Sequence, residues 1–134
     1  DHMTSIFPEL AKRARVEVGS APDVLKGHPA QAYDLVFCHS VLVNIPAEFN
    51  SVFYDMARVS RKYIVTIENE GSWKSYPRDF KKLFEAQGFK QIAYKMLVHQ
   101  SAGGVTLAET WNPDMVLNNN VLRVFVRATT ALPQ

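Results

Sequence analysis

Small and polar residues directly follow three apolar runs of the sequence, at the points where buried strands would end. They form the triplets Gly19-Ser20-Ala21, Cys38-His39-Ser40 and Glu68-Asn69-Glu70. Ligands of open α/β sheets bind outside the carboxyl ends of the strands, where the connecting loops separate. We therefore expect the three triplets to gather along one rim of one sheet and to form a ligand crevice there.

Several side chains near this rim could do chemistry. His39 could act as a general base for a hydroxyl acceptor, or it could be a plain hydrogen-bonding residue of a loop. Glu68 and Glu70 could face an acceptor substrate, or they could be two solvated loop carboxylates. Aromatic residues could wall a substrate pocket or merely cover the rim of the sheet. These aromatic residues are Trp73, Tyr76 and Trp111.

The elements that must position these residues alternate along the chain. Short β-branched and aromatic runs are separated by longer amphipathic stretches, which is typical of an α/β sheet with crossover helices. The predicted strands are residues 16–18, 33–38, 62–67, 89–98 and 121–128. The predicted helices are residues 8–15, 22–26, 46–59 and 77–87. Gly88 stands where a glycine commonly follows the end of a helix.

Two of these elements carry more detailed expectations. The strand at residues 33–38 is almost continuously apolar, as expected of a parallel strand covered on both faces. The helix that opens at Pro46 presents a wide apolar stripe. The stripe consists of Phe49, Val52, Phe53, Met56 and Val59. The long segment between the last two strands could join an antiparallel pair through an enlarged hairpin loop.

Composition limits the classes of protein to consider. The 134 residues are 47% apolar and 21% charged, with a formal net charge of +2, as in a soluble globular domain. Lys and Arg are interleaved with Asp and Glu instead of clustered, so we expect no nucleic-acid partner. The single cysteine, Cys38, excludes an internal disulfide framework and a Cys-based zinc site, and we expect no metal. It also fits a reducing compartment, so the cytoplasm is the expected location.

No membrane association is expected either. The apolar runs are all well short of the roughly 20 residues that span a bilayer. The whole chain, residues 1–134, is interpreted as one domain, because no linker, repeat or low-complexity segment divides it.

Three motifs resemble those of class I S-adenosylmethionine-dependent methyltransferases. Residues 33–46, YDLVFCHSVLVNIP, resemble the family's fourth-strand motif, in which an aromatic-Asp-Leu-Val-Phe strand precedes a short loop, an apolar pair and often His-Ile. Gly19-Ser20-Ala21 resembles the Gly-Asp-Ala that ends the third strand. Residues 80–89, FKKLFEAQGF, resemble the helix and Gly-Phe turn before the sixth strand. Tyr63–Glu70 with Tyr76–Phe80 looks closest to small-molecule or sugar-type methylases.

The resemblance implies a cofactor and a set of contacts. It implies that S-adenosylmethionine binds at the rim, with Gly19, Ser20 and Ala21 near the adenine. Ser20 stands where the family has an acid, which implies a weaker, neutral contact; Gly19 and Ser20 could equally serve only turn geometry. The residues expected against the methionine part of the cofactor are Cys38, His39 and Ser40. Asn44 replaces a frequent His of the family, which removes a second candidate base.

One part of the family pattern is missing from the sequence. A class I methyltransferase begins with a strand and a glycine-rich turn, and nothing before Pro8 can be that strand. Asp1 lies at a suitable distance before Gly19 to be the acid that ends the second strand and binds the ribose, although Asp1-His2-Met3 could equally be a cloning remnant. We expect a partial Rossmann-like sheet, mostly parallel with an antiparallel C-terminal strand.

This absence has a structural consequence, because the family's first two strands lie between the third and the fourth. Without them, the strand at residues 33–38 would expose an apolar edge that invites pairing with another chain. An upstream piece was removed, another subunit supplies it, or the fold has rearranged; the first explanation is favoured. The edge could also support a homo-oligomer or strand exchange.

Two functions follow from these observations. The first is methyl transfer from S-adenosylmethionine to a small-molecule acceptor, active only with the missing N-terminal part. The alternative is a catalytically silent methyltransferase-like module for binding or dimerisation, which Ser20 and the missing loop favour. A different nucleotide-binding domain is disfavoured, because the sequence has no phosphate-cradling glycine loop.

Overall fold

A computed structural model describes residues 5–70, 76–97 and 120–129. The helices are α1 (Pro8–Ala11), α2 (Ala21–Lys26), α3 (Ser51–Val59) and α4 (Phe80–Glu85). The strands are β1 (Tyr33–His39), β2 (Ser60–Asn69), β3 (Phe89–Leu97) and β4 (Asn120–Arg127). Two 3₁₀ turns, Leu42–Asn44 and Ala47–Phe49, lie between β1 and α3.

The four described strands form one sheet in the order β1-β2-β4-β3. β1 and β2 pair in parallel, whereas β4 is antiparallel to both β2 and β3. Three strands therefore run in one direction and the C-terminal strand runs against them. This confirms the predicted mostly parallel α/β sheet with an antiparallel C-terminal strand.

The core lies between one face of this sheet and the helices α3 and α4. Phe53 of α3, Phe80 and Phe84 of α4 and Phe125 of β4 are fully buried. The Phe84 ring lies 5.0 Å from that of Phe125 and 6.3 Å from that of Phe53, centroid to centroid. The predicted apolar stripe is buried at Val52, Phe53, Met56 and Val59, whereas Phe49 is 47% exposed, because it lies in a 3₁₀ turn before the helix begins.

A side-chain cap and a glycine mark the two ends of α4. The Asp79 side chain accepts a hydrogen bond from the Lys82 backbone N–H at 2.9 Å, which caps the N-terminus. Gly88 follows the helix with φ of +82°, a conformation that glycine adopts without steric cost. The predicted helix at residues 77–87 is therefore shorter than expected, and its glycine stop is confirmed.

The predictions for the strand at residues 16–18 and for the end of the first helix are wrong in the structure. Residues 16–18 form no strand, and Val16 and Val18 are 65% and 99% exposed; a strand needs a neighbour to satisfy its backbone, and no described strand lies beside it. The first helix ends at Ala11 instead of continuing to residue 15.

β1 is an edge strand, covered on one face. Val36 and Cys38 pack against the core, but Leu35 and Phe37 are 52% and 57% exposed. The prediction of a strand buried on both faces is wrong for this chain, because Leu35 and Phe37 lie on the face away from the core and stay exposed. Among the described residues β1 pairs only with β2. The prediction of an exposed apolar edge is confirmed.

None of the helices among residues 5–70, 76–97 and 120–129 is both long enough and apolar enough to span a bilayer. Trp111 and the rest of residues 98–119, between β3 and β4, lie outside the described residues.

We expect Phe84→Ala to lower the free energy of unfolding by about 3–5 kcal/mol, because it empties the centre of the aromatic cluster. Urea denaturation of the same polypeptide measures this change. Tyr54→Ala is the matched control: Tyr54 is 55% exposed on α3, and its loss should change stability by no more than about 0.5 kcal/mol. Equal losses in the two variants would contradict the assigned core.

Candidate functional site

The loop that follows β1, residues Ser40–Ile45, is the centre of the candidate site and is called the rim loop below. The Ser40 backbone N–H donates to the Ile67 carbonyl at 2.9 Å, which extends the β1–β2 ladder by one bond. Ser40 itself has φ of +56°, in the left-handed region, so the chain turns away from the sheet there. It then enters the 3₁₀ turn Leu42–Asn44.

Glu68, near the end of β2, holds the rim loop from the sheet side. Its side chain is fully buried. Oε1 accepts a hydrogen bond from the Val41 backbone N–H at 3.2 Å, and Oε2 accepts one from the Val43 N–H at 3.3 Å. A buried carboxylate needs such donors to offset its lost hydration. The prediction that Glu68 faces an acceptor or is a solvated loop carboxylate is therefore corrected, because both oxygens face the protein backbone.

Cys38 completes the contacts of this carboxylate. Its thiol is half-buried and hydrogen-bonds to Glu68, and the backbone of Leu42 hydrogen-bonds to the sulfur. Burial, the negative charge of Glu68 and the hydrogen bond to Glu68 raise the pKa of Cys38 from 9.0 to about 12. Cys38 is therefore a neutral thiol that helps to hold Glu68, and it is not poised to act as a nucleophile.

Arg78 holds the same loop from the opposite side. Its guanidinium donates to the carbonyls of Leu42 at 3.3 Å and Ile45 at 2.5 Å, and to Oδ1 of Asn50 at 3.0 Å from Nη2. It also lies over the Phe53 ring, 4.9 Å from its centroid. Burial lowers the pKa of Arg78, but an arginine remains a cation in proteins.

Glu68 and Arg78 bind different backbone groups of the rim loop. Glu68 takes N–H groups and Arg78 takes carbonyls, each with the charge that suits its partners. The sequence does not reveal the role of Arg78, because its partners are mostly main-chain carbonyls, which leave no residue-type signal. Tyr76, predicted as a pocket wall, donates its backbone N–H to the Val43 carbonyl at 2.7 Å and exposes 47% of its surface.

Ser20 lies at the N-terminus of α2, where it caps the helix. Its Oγ accepts from the Asp23 backbone N–H at 3.4 Å and donates to Oδ2 of Asp23 at 2.5 Å. Gly19, which precedes Ser20, packs closely against Val24: a Cβ atom at Gly19 would lie 2.9 Å from Cγ2 of Val24. The turn geometry proposed for Gly19 and Ser20 is thus present in the structure.

An open groove of about 560 Å³ runs between the start of α2 and the rim loop. Its walls include Ser20, Ala21 and Asp23 on one side and Val41, Asn44 and Ile45 on the other. The volume lies within the range of about 300–1,000 Å³ usual for small-molecule sites. The groove therefore places Ser20 opposite the rim loop, which follows β1 and is bound by Glu68 of β2.

The remaining predicted residues have different surroundings. His39 is exposed at the last position of β1 and pairs in register with Ile67. Glu70 forms a bidentate ion pair with Arg123 of β4, at 2.7 and 2.8 Å, with both side chains largely buried. This hydrogen bond raises the pKa of Arg123. Glu70 was predicted to face an acceptor substrate or to be a solvated loop carboxylate. It is not solvated, because its ion pair with Arg123 is largely buried and links the end of β2 to β4.

Asp1 and Trp73 lie outside the described residues. Within the parts of the chain that the structure describes, no group of three or more His, Cys, Asp or Glu side chains could hold a metal ion.

Comparison with solved structures identifies the fold. The magnesium protoporphyrin IX methyltransferase ChlM from Synechocystis PCC 6803, solved with bound SAM, is 16% identical with a TM-score of 0.56, and the match covers 84% of this chain and 45% of ChlM. A SAM-dependent methyltransferase from Archaeoglobus fulgidus is 12% identical with a TM-score of 0.58, covering 91% of this chain and 71% of that one. The [4+2]-cyclase SpnF is 11% identical with a TM-score of 0.63, covering 91% of this chain and 58% of SpnF.

These likenesses show that the chain has part of the class I methyltransferase fold. It spans about half the length of the ChlM structures that it matches. No protein-family model matches the chain, and no curated protein matches it either.

Glu68→Ala should lower the free energy of unfolding by about 2–4 kcal/mol, because the N–H groups of Val41 and Val43 lose their buried acceptor. Urea denaturation measures the loss. Glu85→Ala, which removes an exposed carboxylate from α4, is the control and should change stability by no more than about 0.5 kcal/mol. If both variants lose the same stability, Glu68 does not hold the loop.

The raised pKa of Cys38 predicts that its thiol reacts slowly with alkylating reagents in the folded protein. At pH 9.5, iodoacetamide should alkylate Cys38 in the folded protein far more slowly than it alkylates the urea-unfolded chain, because only the unfolded thiol is largely ionised. Glu68→Gln should accelerate the folded-state reaction by removing a nearby negative charge, whereas Glu85→Gln should not. Mass spectrometry follows the adduct, and equal folded and unfolded rates would contradict the assignment.

The raised pKa of Cys38 also means that the stability of the fold decreases as the pH rises above 9.0. The folded-state pKa is the higher one, so the contribution of the neutral thiol is complete below pH 9.0 and is lost as the pH rises towards 12.

Proposed function

We propose that this chain is the C-terminal part of a methyltransferase that transfers a methyl group from S-adenosylmethionine to a small-molecule acceptor. The observation that carries the proposal is the groove between α2 and the rim loop, at the carboxyl ends of strands in a methyltransferase fold. The proposal includes an N-terminal part of the fold without which the chain is inactive, and a cytoplasmic location with Cys38 reduced.

The residues at the groove suit an adenosyl group. Ala21, Ile45 and Phe49 offer apolar surface to a flat ring, and Asp23 and Lys26 offer charged contacts at its margin. Gly19, Ser20 and Ala21 would lie near the adenine, and the rim at Cys38, His39 and Ser40 would lie near the methionine end. Asp1 would bind the ribose hydroxyls. When bound, the cofactor supplies the electrophilic methyl group.

The acceptor would lie beyond the rim loop. Methyl transfer needs in-line positioning, exclusion of water and, for a hydroxyl acceptor, a base. His39 is the candidate base, because its imidazole is exposed at the end of β1. Trp73 and Tyr76 would wall the acceptor site. Glu68 and Glu70 would act on the acceptor only indirectly, through the rim loop and through Arg123.

The exposed edge of β1 supports the need for a further part of the fold. Leu35 and Phe37 present apolar surface, and the outer backbone groups of β1 have no strand beside them among the described residues. A strand supplied upstream in the same polypeptide would satisfy these backbone groups, and a helix connected to it would cover the apolar surface.

The same edge also favours a second candidate function, a catalytically silent module for binding or dimerisation. In this case a second copy would pair with β1 through homo-oligomer formation or strand exchange. The match to SpnF, described as a [4+2]-cyclase, shows that this fold is not restricted to proteins named as methyltransferases.

Calorimetry of S-adenosylhomocysteine binding distinguishes the two. It should be performed on this chain and on the full polypeptide with any sequence that precedes residue 1. We expect binding by the full polypeptide and at least 10-fold weaker binding by this chain, because the glycine-rich side of the site is missing from it. Absence of binding by both, with a dimer in analytical ultracentrifugation, would overturn the methyltransferase proposal in favour of the silent module.

A further inference from the structure

Ser20 has little capacity left for a ligand. Its hydroxyl hydrogen is donated to Oδ2 of Asp23, and the same oxygen accepts the Asp23 backbone N–H. A hydroxyl has one donor and two acceptor lone pairs, so a single lone pair remains. The neutral contact implied for Ser20 by sequence is therefore weaker than its residue type suggests.

The rim loop offers few free backbone groups to the groove. The N–H groups of Val41 and Val43 are bound by Glu68, and the carbonyls of Leu42 and Ile45 are bound by Arg78. The Val41 carbonyl accepts from the Asn44 N–H, and the Val43 carbonyl accepts from the Tyr76 N–H. On the rim-loop side of this groove, polar recognition of a ligand must therefore come mainly from side chains.

Among the polar side chains of the groove, Asp23 is best placed to replace Ser20. Its carboxylate is exposed, lines the groove and lies directly against the Ser20 hydroxyl. Oδ1 receives no hydrogen bond from another described residue. An ionised carboxylate accepts hydrogen bonds and donates none, so it selects a ligand that presents N–H groups. Asn44, by comparison, already donates its side-chain amide to the Ser40 carbonyl at 3.1 Å.

We propose that Asp23 recognises the exocyclic amino group of an adenine held in this groove, as the specificity-determining residue of the site. This inference rests on the proposed function, since it takes the ligand to be adenosyl. The carboxylate of Asp23 lies one helical turn beyond Ser20, the position at which the resemblance implied an acid. Ser20 orients the carboxylate through its 2.5 Å hydrogen bond.

The test compares two ligands that differ at the 6-position of the purine and at the neighbouring N1, which carries a hydrogen only in the inosyl compound. S-adenosylhomocysteine carries the amino group, and S-inosylhomocysteine carries a carbonyl oxygen in its place, which a carboxylate repels. Calorimetry on the full polypeptide should show a preference for the adenosyl compound of about 10- to 100-fold, the range of a hydrogen bond to a charged group. Asp23→Ala should reduce this preference to about threefold or less.

Asp23→Asn provides an isosteric check that preserves the shape of the side chain. Its amide can donate as well as accept, so the preference should fall at least 10-fold and could reverse towards the inosyl compound. Glu48→Gln is the matched control, since Glu48 is an exposed acid on the other wall of the same groove, and it should keep the preference. Circular dichroism confirms that each variant is folded.

The outcomes separate this inference from the proposed function. If the unaltered polypeptide binds neither compound, the proposed function fails and this inference fails with it. If it binds both equally, or if Asp23→Asn and Asp23→Ala retain the full preference, the assignment to Asp23 is overturned while cofactor binding stands. Loss of the preference in Glu48→Gln instead would assign the recognition to the opposite wall.

Discussion

The buried carboxylate of Glu68 is the contact on which the shape of the candidate site depends. It carries a negative charge in the interior, where an unpaired charge would be prohibitively costly. Two backbone N–H groups of the rim loop and the Cys38 thiol donate hydrogen bonds to this carboxylate, which offsets its lost hydration. Arg78 binds carbonyls of the same loop. The two charges thereby fix a loop that has only one short 3₁₀ turn of its own.

Much of the fold could be predicted from sequence, because its strands and helices carry local signals. The apolar runs that became β1 and β2, the stripe on α3 and Gly88 after α4 all depend on residue type and spacing. The strand predicted at residues 16–18 failed for a physical reason: β-branched residues favour a strand only where a neighbour pairs with it. Val18 has no such neighbour in the described structure and is almost fully exposed.

The site was less predictable than the fold. The sequence predicted that the three polar triplets share one rim. In the structure the groove lies between Ser20-Ala21 of the first triplet and the loop that follows β1, and Glu68 of the third triplet binds that loop. The direction of each carboxylate could not be predicted, since it depends on partners distant in sequence. Glu68 and Glu70 are both glutamates at or just after the end of β2. Glu68 binds backbone N–H groups, whereas Glu70 binds Arg123. The roles of Arg78 and Asp23 could not be predicted from the sequence. Arg78 binds mainly backbone carbonyls, and Asp23 binds the serine that caps its own helix.

The two faces of β1 bear directly on what the chain requires to function. Val36 and Cys38 contact the core, whereas Leu35 and Phe37 alternate with them and expose more than half of their surface. A strand with one solvated face normally alternates apolar and polar residues, so the sequence of β1 suits burial on both faces. Residues that line the rim would be held more rigidly once that second face is covered, because β1 carries Cys38 and His39 directly into the rim loop. Under the proposed function, one further part of the fold would both cover the apolar face of β1 and complete the ligand site beside the rim loop.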